Sequence, residues 1–479
     1  MPLSVLTIEQ MRDWEKATWA TGQTELEVMR RAGQALAQTA LRMTRTDDLI
    51  LIVAGKGHNG DDSRFAVEHL AKRRVDIFDV LDPREDFSKL EQRLRMSPAL
   101  LIDGLFGIGI NRPLSADWVR FIERINAAKL KVLAVDVPSG LNGDTGEPQP
   151  IAVEACVTLT VGAPKVGMLR QSAWPFVGRL EVAHEVGLVP CPSTNNLRWT
   201  LPEDFTRFPP PRVAAGHKGT YGHAALLAGS PGYHGAAVLA SRGAQRARPG
   251  LITLYTLPAV YAVIASQLQA VMVSPWNPEL KLAENCTAIM AGPGLASPEV
   301  PEQLKDFVRQ TWRDGPVPMV VDASALSWLT PGPVRPEAIR VITPHPGEAA
   351  RLLGITSQKV QSERVQALRR LSERFGNTWI ILKGHQTLVG RSTGDLFVNG
   401  SGNPYLAQGG SGDLLSGYVA GLMAQPSLAN DPFTILRYAV WQHGACADLL
   451  QASRSGWVIE DLAVMLGQIS PKLEGNAAL

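Results

Sequence analysis

The chain has 479 residues, and its composition, 45% hydrophobic and 19% charged, is typical of a globular protein with at least two domains. Its 47 Lys and Arg residues nearly balance 45 Asp and Glu residues, and without a visible basic patch the net charge of +2 argues against nucleic-acid binding. No segment approaches the about 20 apolar residues of a membrane span, and the N-terminal segment lacks the apolar region of a signal peptide. We therefore expect a cytoplasmic protein with no membrane partner.

The first part of the chain alternates between helical and strand-like patterns. Residues 8–43 carry apolar residues at helical spacing, and the continuous apolar run at 49–54 is typical of a parallel strand covered on both faces. Similar strand-like runs recur at 75–80, 100–102, 132–135 and 157–161. This alternation predicts a doubly wound α/β sheet.

A second α/β series follows a segment rich in turn-forming residues. Several prolines make residues 191–215 the best candidate for a linker between a domain at 1–190 and a domain at 216–479. The strand-like runs of the second domain lie at 224–228, 251–255, 288–291, 317–321, 341–342 and 379–382. The sequence thus predicts two doubly wound α/β domains.

The segment from Gly409 to Asp413 is the first candidate for chemistry. Glycines followed by an apolar, helix-forming stretch predict a helix N-terminus, whose free amides and dipole attract an anion such as a phosphate. Asp413 would lie where it can take a proton from an attacking hydroxyl. When the segment is considered alone, a flexible turn with Asp413 as a helix cap explains it equally well. The surrounding turns therefore decide between an anion site and a flexible turn.

Other turns of the second domain each follow a predicted strand. Lys383 ends one apolar run, His345 and Glu348 follow another in a turn fixed by two prolines, and Gly292 to Gly294 follow a third. Each turn alone has an ordinary structural explanation. Because the carboxyl ends of parallel strands meet at one crevice, their joint placement predicts a shared ligand site.

These segments form a series of motifs in a fixed order along the second half. The motifs are His217-Lys218-Gly219, Gly229-Ser230 with Gly235-Ala236-Ala237, Gly292-Pro293-Gly294, His345-Pro346-Gly347-Glu348, Leu382-Lys383-Gly384 and Gly409 to Asp413. In this order they resemble the ribokinase-like domain of NAD(P)H-hydrate dehydratases.

The resemblance implies that ADP drives the removal of water from hydrated NADH or NADPH. Asp413 would activate the C6 hydroxyl of the hydrate for phosphorylation, and Gly412 with neighbouring amides would stabilise the transferring phosphoryl group. The residues implied along the phosphates of ADP, which carries Mg²⁺, are Lys383, Gly384, His385, Gln386 and Thr387. The residues implied to face the hydrated dinucleotide are Ala237, Gly294 and His345.

Two motifs of the second half depart from the family. The family's Asp-Ala-Asp-Ala-Leu is here Asp322 to Leu326, so that Ser324 replaces a carboxylate that would contact substrate or Mg²⁺. The family's Arg-x-Gly-Ala-Gly-Leu is here Arg246 to Leu251, a change expected to alter only local packing.

Polar residues follow the predicted strands of the first domain as well. The segment from Gly55 to Ser63 lies in a phosphate-loop position, although it lacks a strict G-x-G-x-x-G motif. Asp103, Asp136 and Lys165 each follow or end a later run. An acid, a cation and oxygen ligands at neighbouring strand ends suggest proton chemistry and a weakly held monovalent cation, whereas turn capping explains each residue taken alone.

Residues 1 to 190 resemble the NAD(P)H-hydrate epimerase domain, which interconverts the R and S hydrates. The resemblances together imply a Rossmann-like first domain and a ribokinase-like second domain. Asp136 would be the acid/base group with Lys165 as its partner, and oxygens of Asn59, Asp103 and Ser139 would coordinate K⁺. The residues implied to bind the substrate are His58, Asn59, Gly60, Asp61, Asp62, Gly107 and Gly109.

One departure in the first half concerns its phosphate loop. The family's Asn-Asn-Gly-Gly-Asp-Gly is here His58 to Ser63, so that Asp61 and Ser63 replace glycines. A carboxylate facing a pyrophosphate in a partly desolvated cleft would cost on the order of a few kcal/mol. The sequence therefore leaves open whether the epimerase site is impaired.

Two alternatives to a bifunctional repair enzyme remain at this point. One is a small-molecule kinase of the vitamin-precursor type with an accessory nucleotide-binding domain, which would use the same Gly409 to Asp413 segment. In the other alternative, the first half is a non-catalytic domain for binding or oligomerisation that has lost its chemistry because of Asp61. The partners expected from the leading hypothesis are hydrated NADH, hydrated NADPH, ADP and further copies of the chain in a homo-oligomer.

Overall fold

The computed structural model describes residues 2–110 and 112–471 of the chain. The chain folds into two compact units, one from Leu3 to Asn196 and the other from Leu197 onward. The division falls inside the segment expected to be a linker. In the part of the chain that is described, no helix is both long and apolar enough to cross a membrane.

The first unit contains a six-stranded parallel sheet in the order β3-β2-β4-β5-β6-β7. The strands of the unit are β1 (Leu3–Ser4), β2 (Leu49–Ala54), β3 (Arg74–Asp79), β4 (Leu100–Gly104), β5 (Val132–Val135), β6 (Val157–Val161) and β7 (Arg179–Ala183). Its helices are α1 (Ile8–Trp19), α2 (Glu25–Met43), α3 (His58–Ala66), α4 (Phe87–Arg95), α5 (Ala116–Ala127) and α6 (Trp174–Val177).

Strand β2 shows why the continuous apolar run is needed. Ile50 and Ile52 belong to a buried cluster shared with α2, whereas Leu51 and Val53 belong to a second cluster shared with α4 and α5. Successive side chains of a strand point to opposite faces, so both faces of the sheet are covered by helices. The doubly wound architecture predicted for this half is confirmed.

The prediction of one helix over residues 8–43 is wrong, because two helices, α1 and α2, occupy this range. The chain breaks at Gly22, whose φ of 90° lies in the left-handed region. Thr24 then caps α2: its hydroxyl accepts from the Glu27 amide at 3.3 Å, and the Glu27 carboxylate accepts from the Thr24 amide at 3.4 Å. This capping box was visible in the sequence as Thr-x-x-Glu.

The second unit contains a larger, mostly parallel sheet whose strands follow the order β8-β17-β16-β15-β14-β13-β12-β9-β10-β11. Its strands are β8 (Leu197–Trp199), β9 (His223–Leu227), β10 (Leu251–Thr256), β11 (Met272–Pro275), β12 (Ala288–Ala291), β13 (Met319–Val321), β14 (Arg340–Ile342), β15 (Trp379–Leu382), β16 (Leu388–Gly390) and β17 (Leu396–Val398). Strand β16 runs antiparallel to both of its neighbours.

The helices of the second unit are α7 (His234–Ala247), α8 (Tyr261–Ala265), α9 (Glu302–Asp314), α10 (Pro346–Leu353), α11 (Ser357–Ser362), α12 (Arg364–Arg374), α13 (Ser411–Met423), α14 (Pro432–Ser453) and α15 (Ile459–Met465). The predicted α/β architecture is confirmed here too. The segment at 191–215 is not simply irregular, however. It contains β8, which pairs in parallel with β17, and Phe205, which is fully buried.

Helix α13 packs against α7 backbone to backbone. A Cβ atom added to Gly417 would lie 1.9 Å from the carbonyl oxygen of Ala240, and one added to Gly421 would lie 2.6 Å from that of Ala244. Only glycine permits an approach this close. The contact fixes the position of α13, and thereby of the segment from Gly409 to Asp413 at its N-terminus.

Both sheets have a point where the strand order reverses. In the first unit it lies between β2 and β4, and in the second between β9 and β12. Ligands of open α/β sheets bind outside the carboxyl ends of the strands at such points. Asn59 follows β2 and Gly294 follows β12 at these two points, and other predicted site residues follow further strands of the same sheets.

Candidate active sites

In the first unit, Asn59 connects the carboxyl ends of three strands. It lies in the first turn of α3, directly after β2, and its Nδ2 donates to the carbonyl oxygens of Phe106 at 2.9 Å and Val135 at 2.6 Å. These carbonyls belong to the loop after β4 and to the end of β5. The amide side chain therefore brings several oxygens together at one point.

Asp103, at the end of β4, lies beside this cluster with no solvent exposure. One of its carboxylate oxygens accepts from the Ser139 hydroxyl at 2.6 Å, and the other accepts from the Ser139 amide at 2.8 Å. Burial raises the pKa of Asp103 to about 6, an effect that the hydrogen bonds from Ser139 only partly offset. Among the described residues, no basic side chain pairs with it. The three residues predicted to bind K⁺ are thus brought together.

Asp136 and Lys165 form a buried ion pair. Asp136 follows β5 with a φ of 63°, an unusual conformation for a residue with a side chain, and its Oδ1 accepts from Lys165 Nζ. The same oxygen accepts from the Thr160 hydroxyl and the Val161 amide, both at 3.1 Å. Lys165 has no solvent exposure, and its Nζ also donates to Thr160 Oγ1 and the Val161 carbonyl oxygen, both at 2.9 Å.

The pair reaches a cavity of about 1240 Å³ within the first unit. The predicted substrate residues that line it are His58, Asn59, Asp62, Gly107 and Gly109. Sequence reasoning missed another acid there, Glu15 of α1, which has no motif around it. Burial raises the pKa of both Glu15 and Asp62, and the charge of Asp136 adds to both effects. The cavity therefore combines several carboxyl groups with two lysines, Lys56 and Lys165, and two arginines, Arg12 and Arg112.

Two predicted substrate residues, Gly60 and Asp61, are not among the described residues that line the cavity. A Cβ atom on Gly60 would lie 2.1 Å from the carbonyl oxygen of Gly55, so this glycine serves the turn itself. The Asp61 carboxylate is bound by Arg64 Nη1 at 2.8 Å. Its charge is thus already paired, and a contact of Asp61 with the substrate phosphates stays a prediction.

At the reversal point of the second unit, Gly294 holds the turn after β12. Its φ is 67°, and an added Cβ would lie 2.3 Å from the Tyr233 carbonyl oxygen. The Ser230 hydroxyl donates to the Gly294 carbonyl oxygen at 2.6 Å. Ala237, also predicted to face the substrate, is fully buried in α7 and has no surface for a ligand. The Ala237 side chain packs against Gly229, where an added Cβ would approach to 2.9 Å, and its contact with the substrate stays a prediction.

A lysine, an aspartate and a glycine meet at one point of the second unit. Lys383 directly follows β15, Asp322 directly follows β13, and Gly412 lies in the first turn of α13. Lys383 Nζ donates to Asp322 Oδ1 at 2.8 Å, and a Cβ added to Gly412 would lie 3.1 Å from Nζ. Burial lowers the pKa of Lys383, but the carboxylates of Asp322 and Glu348 outweigh it, and the net result is a raised pKa. A cation therefore lies directly beside the first turn of α13.

Asp413, the third residue of α13, lies near this pair but makes no ion pair with a described residue. Burial, reinforced by the charge of Asp322, raises the pKa of Asp413 to about 6. Gly410 precedes the helix with a φ of 94°, which only glycine adopts readily. The first amides of a helix have no partner inside it, so the start of α13 offers donors to an anion beside a proton-accepting carboxylate.

His345 has a structural role that the sequence left open. Its Nδ1 accepts from the amides of Gly347 at 3.0 Å and Glu348 at 3.3 Å, so it caps α10. Glu348 is buried, and its carboxylate accepts from the His345 amide at 2.8 Å. Because Nδ1 is an acceptor, Nε2 carries the proton of the neutral ring. It lies 3.5 Å from Glu348 Oε1 in a half-exposed ring.

The segment from Lys383 to Thr387 is the tight turn between β15 and β16. Gly384 has a φ of 122°, and the Thr387 hydroxyl donates to the Gly384 carbonyl oxygen at 2.9 Å. His385 is exposed, whereas Gln386 is buried. Within the described chain, neither polar atom of the Gln386 side chain has a hydrogen-bond partner. Such an amide has bonding capacity left for a ligand.

His443 is a residue that sequence reasoning missed. It lies in the middle of α14, is buried, and has its Nε2 at 3.1 Å from the carbonyl oxygen of Ser411. Burial lowers the pKa of His443 to about 4, so the ring is neutral at pH 7. The ring holds the first residue of α13 in place. No local motif marks it.

The fold and the two sites define the class of protein: a two-domain α/β enzyme with a separate candidate active site in each half. Comparison with known proteins narrows this class. The sequence model of the family described as NAD(P)H-hydrate dehydratase matches residues 224–472. The model described as YjeF-related protein N-terminus matches residues 25–94 and 79–167.

Curated relatives match both halves together. The chain is 33% identical to the bifunctional NAD(P)H-hydrate repair enzyme Nnr of Coxiella burnetii over 87% of this chain and 89% of that protein. It is 32% identical to the enzyme of the same name from Vibrio cholerae over 98% of each chain. The chain belongs to the family of bifunctional NAD(P)H-hydrate repair enzymes, which confirms the resemblances seen in the sequence.

A solved structure resembles the second half. The ADP/ATP-dependent NAD(P)H-hydrate dehydratase from Bacillus subtilis, co-crystallised with ATP and Mg²⁺, is 33% identical, with a TM-score of 0.51 over 56% of this chain and 96% of that chain. A ribokinase-like superfamily protein from Enterococcus faecalis, 22% identical with a TM-score of 0.50, supports the fold alone. These findings favour a repair enzyme over a vitamin-precursor kinase.

Proposed function

We propose that the second half removes water from the S hydrate of NADH or NADPH at the expense of ADP, and that the first half interconverts the R and S hydrates. The observation that carries the proposal is the position of Asp413, in the first turn of α13, with no ion pair to a described residue and with a pKa that burial raises to about 6. A carboxylate of this kind accepts a proton from a hydroxyl beside an anion-binding helix N-terminus.

The proposed reaction begins at the C6 hydroxyl of the hydrate. Asp413 takes its proton while the oxygen attacks the β-phosphorus of ADP, and the bond from that phosphorus to the bridging oxygen breaks to release AMP. The amides of Gly412 and Asp413 and the ammonium group of Lys383 stabilise the charge on the phosphoryl oxygens. The C6–O bond of the phosphate ester then breaks, C5 loses a proton, and NADH or NADPH and phosphate result.

The turn from Lys383 to Thr387 is the proposed site for the phosphates of the nucleotide. Lys383 lies beside Gly412, and the unpartnered amide of Gln386 offers further hydrogen bonds. The described residues contain no cluster of three His, Cys, Asp or Glu side chains suited to a metal. Mg²⁺ usually binds through one or two carboxylates and the substrate phosphates, and Asp322 fits that pattern.

For the first half, we propose Asp136 as the acid/base group and Lys165 as its partner. Inversion at C6 requires a bond at that carbon to break and re-form on the other face, with a proton delivered and taken back. The Asp136 carboxylate reaches the cavity, and Lys165 holds it in place through Oδ1. The cavity of about 1240 Å³ is large enough for a dinucleotide.

Asn59, Asp103 and Ser139 are the proposed K⁺ ligands. The buried Asp103 carboxylate lacks a basic partner among the described residues, and the Phe106 carbonyl oxygen lies within 3.3 Å of Ser139 Oγ. A cation bound by oxygens would compensate the charge of Asp103. The residues therefore fit K⁺, which would hold the loops after β2, β4 and β5 together.

The assay that tests the proposal supplies the full chain with ADP and the separated R and S hydrates of NADH. We expect AMP, phosphate and reduced nicotinamide to form in equal amounts, and the products from the R hydrate to appear after a lag. Phosphorylation of vitamin precursors with no turnover of either hydrate would refute the dehydratase. Turnover of the S hydrate alone would refute the epimerase.

Two further expectations from the sequence stay predictions. A cytoplasmic location can be tested by cell fractionation, and assembly into a homo-oligomer by light scattering of the purified chain.

A further inference from the structure

Helix α1 turns one of its faces to the cavity of the first unit. Met11, Glu15 and Trp19 follow one another at intervals of four residues, so they lie on the same face of the helix, and all three line the cavity. Glu9 and Asp13 of the same helix are not among the described lining residues. Glu15 is therefore the carboxyl group that α1 brings to the space where Asp136 and Lys165 lie.

Backbone hydrogen bonds fix α1 relative to the lysine of the ion pair. The Leu6 amide donates to the Pro164 carbonyl oxygen at 2.9 Å, and the Leu6 carbonyl oxygen accepts from the Val166 amide at 2.9 Å. These two bonds flank Lys165 along the chain, and α1 begins two residues after Leu6. Glu15 follows about two turns later, so its position relative to Lys165 is set by the fold.

The Glu15 carboxyl group is partly buried and makes no hydrogen bond or ion pair with a described residue. Burial raises its pKa, and the charge of Asp136 adds to this effect, whereas the charges of Lys165, His58 and Arg12 oppose it. A carboxyl group without a partner, facing a cavity and a second carboxylate, is suited to carrying a proton.

Asp136, by contrast, is fixed in one orientation. Its Oδ1 accepts from Lys165 Nζ, and also from the Thr160 hydroxyl and the Val161 amide at 3.1 Å each. Epimerisation moves the C6 hydroxyl from one face of the ring to the other, so a proton is given on one face and taken up on the other. A carboxylate held by three donors reaches one face of a bound ring, and a second group is needed for the other face.

We propose that Glu15 is a second acid/base group of the epimerisation, an inference that rests on the function proposed above for the first half. In one direction, Glu15 gives its proton to the C6 hydroxyl, the C6–O bond breaks, and water leaves while the lone pair of the ring nitrogen forms a double bond to C6. Water then adds to C6 from the other face, Asp136 takes its proton, and the electron pair returns to the nitrogen. The two carboxyl groups have then exchanged protonation states, and the reverse reaction begins from that state.

The test compares Glu15→Gln, Glu15→Asp and Glu9→Gln in the full chain. Each variant receives the separated R and S hydrates of NADH without ADP, so that dehydration does not consume the S hydrate. Glu15→Gln should slow inversion in both directions by about 10²-fold or more, with KM nearly unchanged, because the amide neither gives nor accepts the proton. Glu15→Asp, which keeps the carboxyl group, should recover part of the rate. Glu9→Gln makes the same change at an exposed position of α1 and is the matched control.

The C6 oxygen distinguishes a catalytic role of Glu15 from a structural one when the assay is run in water labelled with a heavy oxygen isotope. In Glu15→Gln, Asp136 still expels and returns water on its own face. One of the two hydrates should therefore exchange its C6 oxygen with the solvent without inverting, faster than in the absence of protein.

Two results overturn the proposal while leaving the epimerase intact. One is inversion by Glu15→Gln at a rate similar to that of Glu9→Gln. The other is loss of both inversion and oxygen exchange for both hydrates in Glu15→Gln, which would show that Glu15 only shapes the site. If the unmodified chain inverts neither hydrate, the proposed epimerase itself fails, and the role of Glu15 fails with it.

Discussion

Both halves of the chain place a lysine against a buried aspartate at the carboxyl end of a sheet. The halves differ in whether that aspartate is the proposed acid/base group. In the first half, Lys165 contacts Asp136, the residue proposed for acid/base chemistry. In the second half, Lys383 contacts Asp322, and the proposed base Asp413 is left without an ion-pair partner.

The two proposed acid/base residues, Asp136 and Asp413, therefore differ in how firmly they are held and in how readily they accept a proton. A carboxylate that is bound directly by an ammonium group, as at Asp136, keeps its position beside the cavity. A carboxylate near but not bound to a cation, as at Asp413, has a higher proton affinity and can accept the proton of a weakly acidic hydroxyl. The Lys383–Asp322 pair would instead present a cation to the phosphates that we propose bind there.

The largest effect is expected from Asp413→Asn. Dehydration should fall by about 10³-fold, within the range typical of a lost general base, because the amide cannot accept the hydroxyl proton. The measurement is release of AMP and phosphate from the S hydrate, with ADP affinity followed by calorimetry. Epimerisation in the same sample serves as the control and should continue. Dehydration within tenfold of the unmodified chain would refute the role of Asp413.

Lys165→Met should abolish epimerisation and destabilise the first unit by about 3–5 kcal/mol, because it leaves Asp136 buried and uncompensated. Denaturation by urea, followed by fluorescence, measures the stability. The double variant Lys165→Met/Asp136→Asn should recover much of the stability without recovering epimerisation. If the double variant regains activity, the pair has a structural role only.

The pH dependence of dehydration should reflect the free carboxylate of Asp413. Since burial raises its pKa to about 6, the base is lost as the pH falls through that value. The logarithm of kcat/KM should therefore rise with a slope of about one below pH 6 and level off above it. The rate of R-to-S conversion, measured at each pH, serves as the control for effects of pH on the chain as a whole. A flat profile across about pH 5 to 7 would contradict the assignment.

The sequence predicted the strands near both sites because their apolar runs are continuous. It missed β16 and β17, which have three residues each, and the break between α1 and α2, which depends on the Thr24 capping box. The sequence could not predict which residues the two lysines contact, for a different reason. Lys383 and Asp322 are 61 residues apart, and which carboxylate the lysine contacts depends on how three strand ends converge.

A smaller effect is expected from Gly417→Ala, which tests how α13 is held. An added methyl would meet the Ala240 carbonyl oxygen at 1.9 Å, so α7 and α13 must separate, at a cost of about 1–3 kcal/mol. Dehydration should weaken together with the stability of the second unit, while epimerisation stays constant. Gly456→Ala is the matched control, since nothing lies within 4 Å of an added Cβ. Equal stability of the two variants would show that the helix contact can relax.

The smallest effect is expected from Asp61→Gly, the substitution that the sequence alone predicts to increase epimerase activity. If Asp61 faced the substrate phosphates, glycine would accelerate epimerisation by removing a repulsive charge. In the structure its carboxylate is bound by Arg64, whose Nη2 also binds Asp79 at 2.6 Å and the Gly55 carbonyl oxygen at 2.9 Å. The exposed pair contributes about 0.2–1 kcal/mol, so stability should fall slightly and kcat/KM for the R hydrate should change less than about twofold. An increase of about tenfold or more would show that Asp61 faces the substrate after all, and that the first site is weakened in this chain.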